Sequence, residues 1–498
     1  MEKSMLKKFL LCFFIITSCP LALQAKYKKE TITFAIPFEP PHLDPTATAA
    51  DPTAEIVYGN IFEGLTQINQ NGEVIPCLAK SWKISQDGKL YIFELQKGVK
   101  FHNGQDFTAK DVIYTFERAK APDSINDRKE IFQKIKNIRA LDLYKVEFEL
   151  EEVFGEFIYY LGMADAIIVS PSSSHVNKIL PVGTGPYTLK KWTKGHSIEL
   201  IPFEGYWGRI PAIKEATFRF IPDPIIQMTY LIAGDVDAIP NLAAPEAIEK
   251  LKGDNNFVVD VGFTEGEVIL TMNNQKPPFN DIRVRKAITH AIKKQDIIDG
   301  AYLGYGTPIG SHFSPNHPAY VDLTDMVPYN LEDAKKLLVE AGFPDGFETT
   351  LKLPPITYAR RSGEVIAEQL AQIGIKVKLV SIEWSAWLEN VFRNKEYDMT
   401  IIAHTEPLDI SNYARENYYY NNDQSRIKPA ISLAHSSFHT EERFLHYKEA
   451  QKILAEQAFN VYLFQLPKIG VWRKNLKGMW KHSPIQATII TDIYWEEE

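Results

Sequence analysis

The sequence predicts an α/β protein built as two lobes, and three observations carry that prediction. At 498 residues, 45% hydrophobic and 24% charged, the chain is ordinary globular material with length for two domains or more. Its second half reads as helix then strand, twice over, which is the pattern of an α/β layer. Its first half opens on a strictly alternating strand and then carries the one-face-wet alternation of an antiparallel sheet.

The elements follow in chain order. Lys3, Lys7 and Lys8 precede an apolar run over 9–16 that is too short to span a bilayer, so residues 1–25 read as a secretory signal peptide. Two cleavage readings stay open. Ile16-Thr17-Ser18-Cys19 resembles a lipobox, which would leave a lipidated Cys19, while Ala25 offers an ordinary signal-peptidase site. The three cysteines, Cys12, Cys19 and Cys77, supply no disulfide framework, and Cys77 reads as a small buried hydrophobe. A net charge of -8 without basic clusters gives no reason to expect a nucleic-acid partner.

Residues 31–36 alternate Ile32, Phe34 and Ile36 on one face and run into a proline-rich exit. Phe38 and Glu39, just past that strand end, are candidate pocket residues, because ligands of open α/β sheets sit beyond strand ends. Asn60 to Leu65 is expected to close a first helix, with Gly64 near its end. Residues 79–118 then hold a hairpin, turned at Asp87-Gly88, and a helix whose start is marked by Thr108 and Asp111. Two paired strands follow over 135–141 and 145–150, with Glu147, Glu149 and Glu151 on a wet face. Gly183-Thr184-Gly185-Pro186 suits a tight backbone re-entry and lacks the Lys-Ser/Thr of a phosphate loop. Gly234 reads as a helix C-cap, and Pro277-Pro278 with Asn280-Asp281 set up a cap before a helix carrying Arg283 and Arg285. Those arginines are expected to make an interdomain ion pair or to clamp a carboxylate. Helices are expected from Asn330, from about Ser362 and from Thr440, strands over 375–379 and 461–466, and a closing strand over 488–493.

The order Ala79, Trp82, Asp87-Gly88, Tyr91-Ile92-Phe93-Glu94-Leu95, Gly98-Val99-Lys100-Phe101-His102, Gly104, Phe107-Thr108-Ala109-Lys110-Asp111-Val112 resembles the signature of the peptide-type (oligopeptide, dipeptide and nickel) extracytoplasmic solute-binding proteins of ABC transporters. Gly183 to Tyr187, Leu231 to Ile239 and Asn273 to Ile288 continue the resemblance over nearly the whole mature chain. It implies a two-lobe periplasmic-binding-protein fold of type II, the large variety with an extra subdomain, whose discontinuous lobes are joined by a hinge. The expected division is 26–58, 183–268 and 470–498 as lobe I, 59–182 as its extra subdomain, and 269–469 as lobe II. The implied role is capture of short peptides for an ABC permease, by a periplasmic or extracytoplasmic monomer that is not an enzyme and carries no cofactor. A nickel chelate, haem, an opine or a cell-wall muropeptide are the alternative ligands, and a secreted hydrolase is the alternative from another class, for which the sequence would have to supply a nucleophile, a base and oxyanion donors.

The resemblance also implies where ligand is held. In similar proteins a W-x-x-D-x-x-D-P stretch places its first Asp on the peptide α-ammonium. Here the strand ending near Ala403 leads to His404, Glu406 and Asp409, with Asn412 and Tyr413 beyond, so the chain departs from the motif. Glu406 and Asp409 are the candidates for the ammonium; the alternative is that both are acids in water. Trp384 and Trp387 are candidate pocket walls or core, Arg360 a candidate for a ligand carboxylate with Tyr358 beside it, and Tyr419 part of an aromatic run that can line the cleft. No metal centre is expected: His435 and His439 have helical spacing, but Pro429 and Ser436-Ser437 argue against a firm helix there. The sequence shows no G-x-S-x-G, no H-E-x-x-H and no catalytic cysteine context.

Overall fold

Two long strands set the frame of the computed structural model, which describes residues 29–47, 50–251 and 253–497. The expected signal segment and Cys19 lie outside the described residues. Strands Phe257–Met272 and Asn460–Arg473 run antiparallel as neighbours at the middle of an 11-stranded mixed sheet. At one end they pair outward to Ala238–Ile239, Thr31–Ile36, Glu215–Phe220, Ser197–Pro202 and Tyr187–Thr193. At the other end Phe257–Met272 pairs with Met399–His404, followed by Glu348–Leu353 and Lys376–Ser381. Each long strand therefore belongs to both lobes, and the chain crosses between them on this pair.

The crossing carries an irregularity. Phe263 pairs with Pro467 and Glu267 with Gln465, so Thr264, Glu265 and Gly266 stand opposite Leu466 alone. The extra residues unpair the ladder locally and bend it. Thr264 ties the bulge down: its hydroxyl donates to the Leu466 carbonyl (2.7 Å) and accepts from the Gly266 N–H (3.0 Å), while Gln465 Nε2 donates to the Thr264 carbonyl (2.7 Å).

Strand periodicity divides the cores. Val268, Leu270 and Met272 enter one core with Val284, Ile288, Leu351 and Ile366, while Ile269 enters another with Trp387, Ile402 and Tyr462. The first lobe packs Ile32, Phe34 and Ile36 against Phe218 and Trp472. Residues 79–150 add a separate four-stranded antiparallel sheet, ordered Ala79–Ile84, Leu90–Leu95, Lys145–Leu150, Ile135–Asp142. Helix Ala109–Lys120 covers it through Val112 and Phe116, and the Thr108 and Asp111 capping box forms at its start.

Several expectations change. Helix Asp51–Val57 ends before residue 60, so residues 60–65 form turns instead of a helix end. Their role is to receive the glycine loop: a Cβ on Gly183 would lie 1.9 Å from the Ile61 carbonyl oxygen. Helix Thr357–Ala371 begins five residues before Ser362 without a side-chain cap, so burial of Tyr358, Ala359 and Ile366 sets its start. No strand forms over 488–493; the closing pair is Tyr494–Trp495 with Leu476–Lys477. Glu147 is buried, its charge met by Arg139 at 2.6 Å, on a face expected to be wet. Thr440 opens its helix from inside, after His439, and makes no cap bond. Helix Ile427–Ser436 does form, with Pro429 in the first turn where a missing N–H is harmless, and His439 lies beyond its end. Arg283 pairs with its neighbour Asp281 at 2.6 Å, and Arg285 is buried donating to the Phe279, Gln457 and Ala458 carbonyls, so neither makes an interdomain ion pair or is free for a ligand.

Candidate functional site

The crossing strands form the floor of a cavity between the lobes, with roughly 1180 Å³ of space when its open mouth is included. One wall comes from residues around helix Asp51–Val57, including Asp51 and Tyr58; another from Asp127, Arg128 and Asp165 of the extra subdomain. Thr264, Glu265, Leu466 and Pro467 of the bulge lie at the base, and Thr405, Glu406 and Pro407 close the side of the second lobe. Chain termini of strands and loops supply nearly every contact, which is where an α/β sheet leaves backbone groups for a ligand.

The charge of this cavity is one-sided. Among the described residues, five carboxylates line it, from Asp51, Asp127, Asp165, Glu265 and Glu406, against the single cation of Arg128. Arg128 is already engaged: its Nη1 lies 3.1 Å from Glu406 Oε2, its Nε 3.5 Å from Asp165 Oδ2, and its guanidinium over the Tyr160 ring. The Glu406 bond spans the two lobes. Burial pulls the Arg128 pKa down, but Glu406 and Asp165 more than offset it, so the group stays charged. Burial, and then the Asp409 charge, push the Glu265 carboxyl up to about 8. Burial raises Asp165 to about 6 against the pull of Arg128, and raises Asp51 with help from Glu406. Glu265, Asp165 and Asp51 therefore hold protons more tightly than in water.

Of the residues singled out from the sequence, Glu406 alone lines this cavity. Phe38 is exposed, 63%, and Glu39 accepts from Trp192 Nε1 (2.9 Å) and the Gly195 N–H (3.0 Å), fixing the loop past the first strand. Tyr358 is buried with its hydroxyl accepting from the Ala403 N–H (2.8 Å), and Arg360 is exposed on the same helix. Trp384 stacks parallel on Trp387 at 5.1 Å; Trp387 is core, donating to Thr400 Oγ1 (2.9 Å). Asn412 accepts from Arg415.

His404, Asp409, Tyr413 and Tyr419 come together elsewhere, in a buried cluster behind the bulge. Asp409 Oδ1 meets His312 Nε2 at 2.7 Å and its Oδ2 meets His404 Nδ1 at 2.9 Å. His404 Nε2 lies 2.9 Å from the hydroxyls of both Tyr419 and Tyr420. Tyr413 stacks on Tyr420 and accepts from Asn460 Nδ2 (2.6 Å). Burial alone would raise the Asp409 carboxyl, but His312 and then His404 hold it well below the usual carboxylate range. Asp409 is thus an acid neither in water nor facing the cavity.

Sequence reasoning missed Asp51, Arg128, Asp165, Glu265 and His312. Glu265 had a usable signal, since Glu265-Gly266-Glu267 sets two acids around a glycine inside a strand-like stretch rich in β-branched and apolar residues from Val258 to Met272. Asp51 and Arg128 sit in polar stretches where nothing in the sequence separates cleft from solvent.

Comparison with known proteins places this arrangement. The family model for bacterial extracellular solute-binding proteins, family 5 middle region, matches residues 73–426. The dipeptide-binding protein of Escherichia coli K12 is 29% identical over 494 residues, covering 88% of this chain and 89% of the relative. The heme-binding protein A of Haemophilus influenzae is 29% identical over 469 residues, covering 82% of each. Among solved structures, an ABC transporter-associated periplasmic binding protein of Helicobacter pylori, in complex with the peptide STSA, superposes with a TM-score of 0.79 at 28% identity, covering 94% of this chain and 99% of that one.

Proposed function

Because the chain belongs to the bacterial extracellular solute-binding proteins of family 5, we propose that it captures short peptides between its lobes and delivers them to an ABC permease. The observation that carries the reading is the acidic interlobe cavity, in which Arg128, the one cation among the described lining residues, is already paired across the lobes. An ammonium entering beside Glu265 and Asp51 takes the place of the proton that Glu265 holds, and each charge desolvates the other. The peptide backbone pairs with main-chain groups at the strand ends, as an added strand does. Glu406 closes the lobes through Arg128 in this reading, so the ammonium falls to Glu265 rather than to the acids of the 404–409 stretch.

The lobes are 26–58, 183–268 and 470–498 on one side, with 59–182 attached, and 269–469 on the other. They swing about the bulge at Thr264 to Gly266, and the permease reads the closed form. The chain acts outside the cytoplasm as a binding protein without catalysis, after removal of residues 1–25 or lipidation of Cys19. Thermal-shift screening tests the ligand class. Peptides of two to five residues raise the melting temperature by mass action, and their N-acetylated forms do not. No rise with any peptide contradicts the proposal.

One observation favours a second reading. Arg128 is the one cation among the described residues that line the cavity, and no second cation is present there for a ligand carboxylate. A ligand with net positive charge, whether a basic peptide or a non-peptide cation, fits that wall better than an acidic peptide. Basic dipeptides outranking acidic ones in the same screen support it, and the reverse order contradicts it.

A further inference from the structure

The buried cluster behind the bulge is a different site from the cleft. We propose that His312, His404 and Asp409, with Glu267 beside them, form a binding site for a divalent late transition metal of the Zn²⁺ class. The expectation of no metal centre weighed only His435 and His439, which the fold keeps apart from this cluster.

Geometry carries the assignment. One nitrogen of each histidine and an Asp409 oxygen all lie within 4.8 Å of one another. Three separate parts of the second lobe bring them there: the loop holding His312, the end of strand Met399–His404, and the turn holding Asp409. His312 is fully buried and Asp409 7% exposed. A second carboxylate, outside that 4.8 Å group, borders the same space. Glu267 pairs directly with His404 in the sheet, so their side chains share a face. It is 3% exposed, and its Oε2 has no hydrogen-bond partner. That oxygen belongs to a residue lining a small cavity shared with Glu265, His312 and Asp409. A buried acceptor without a donor is costly, and a cation in this cavity answers it.

The donor chemistry selects the metal. Two imidazoles and two carboxylates suit Zn²⁺, Co²⁺ or Ni²⁺, whereas Ca²⁺ and Mg²⁺ favour all-oxygen shells. The outer partners are also in place. For His404 to offer Nδ1 to a metal its proton must sit on Nε2, and the Tyr419 and Tyr420 hydroxyls accept it there at 2.9 Å. For His312 to offer Nε2 its proton must sit on Nδ1, which faces the Tyr413 hydroxyl at 3.4 Å. Two carboxylates then balance the dication.

The test uses the untagged secreted chain, stripped with a chelator and titrated with Co²⁺ as a visible probe, in parallel with Zn²⁺ in thermal melts. The expected result is a saturable ligand-field absorption at a single equivalent and a higher melting temperature with Zn²⁺. Glu267→Gln, which keeps the side-chain shape, is expected to weaken Co²⁺ binding by ~10-fold or more, as is Asp409→Asn. Asp51→Asn, in the cleft, is expected to leave the spectrum unchanged. Absence of both absorption and melting shift in the wild-type chain overturns the proposal and makes the cluster a hydrogen-bonded core network. Loss of the spectrum in Asp51→Asn with retention in Asp409→Asn also overturns it, by placing the metal in the peptide cleft. If both cluster variants fail to fold, the wild-type spectrum decides alone.

Discussion

Replacing Glu265 with Gln separates the binding role of the cleft from its stability. Glu265 projects from the bulge into the cavity, and burial with the Asp409 charge nearby raises its carboxyl from 4.5 to about 8. A pKa raised on folding means the native state holds the proton longer than the unfolded chain. The group therefore costs nothing below the unfolded pKa, and destabilises increasingly as pH rises from about 4 to 8. The shift corresponds to at most about 5 kcal/mol for the ionised form, and partial access of water reduces that to about 2 kcal/mol. Gln cannot ionise, so the ligand-free variant is expected to melt higher than the wild type at pH 8 and equally at pH 4.5. With ligand the sign reverses. Removing one partner of a desolvated charge pair costs about 2–5 kcal/mol, or roughly 30- to 4000-fold in Kd. Titration calorimetry with a dipeptide, its N-acetylated form and both proteins reads the two effects together. The variant is expected to lose affinity for the free-amine peptide and none for the acetylated one. Equal affinity of wild type and variant for the free amine refutes the assignment of Glu265, whatever the melting curves do.

Other expectations follow from the same structure. Glu55 and Glu63 are also raised by burial, each to about 7, and Asp165 to about 6, so calorimetry of the ligand-free protein should show melting falling as pH rises from about 4 through 7; a bound cationic ligand should shrink the part of that fall that comes from Asp165. Arg128→Gln leaves Asp165 and Glu406 unpaired and removes a contact across the lobes, so small-angle scattering should show a larger radius of gyration with the ligand-free variant, and ligand affinity should drop about 10-fold or more. Gly183→Ala forces a Cβ to within 1.9 Å of the Ile61 carbonyl oxygen, which cannot yield without moving the backbone, and should destabilise by about 1–3 kcal/mol in urea titrations. Asp409→Asn removes the charge held between two imidazoles, so its loss of stability relative to the wild type should be largest at neutral pH and fade in acid, where the wild-type carboxylate itself becomes protonated.

Much of the fold was legible because its signals are local. The capping pair Thr108 and Asp111, the turn at Gly88 and the alternation of Tyr91, Phe93 and Leu95 are set by neighbours a few residues apart, and all three form. The start of helix Thr357–Ala371 falls before the expected one because it is fixed by burial instead of a cap, and residues 488–493 form no strand because Ile489, Ile490 and Ile493 fill a core without joining a sheet. The cavity was less legible for the same reason. Glu406 could be reached from a motif, but Asp51, Arg128 and Glu265 are separated by up to 355 positions from it and meet only through the crossing strands. His312 is the sharpest case. Nothing near it in the sequence pairs with it, and it changes Asp409 from a solvated acid into a buried, doubly bonded one.

The central claim is that the acidic interlobe cavity holds a ligand with a free ammonium. Mass spectrometry of whatever co-purifies with the secreted protein, released by denaturation and analysed before and after amine-selective acetylation, tests it most directly. A short peptide that gains mass on acetylation of its N-terminus is the predicted result. A tightly held ligand without any amine or other cationic group would contradict the account.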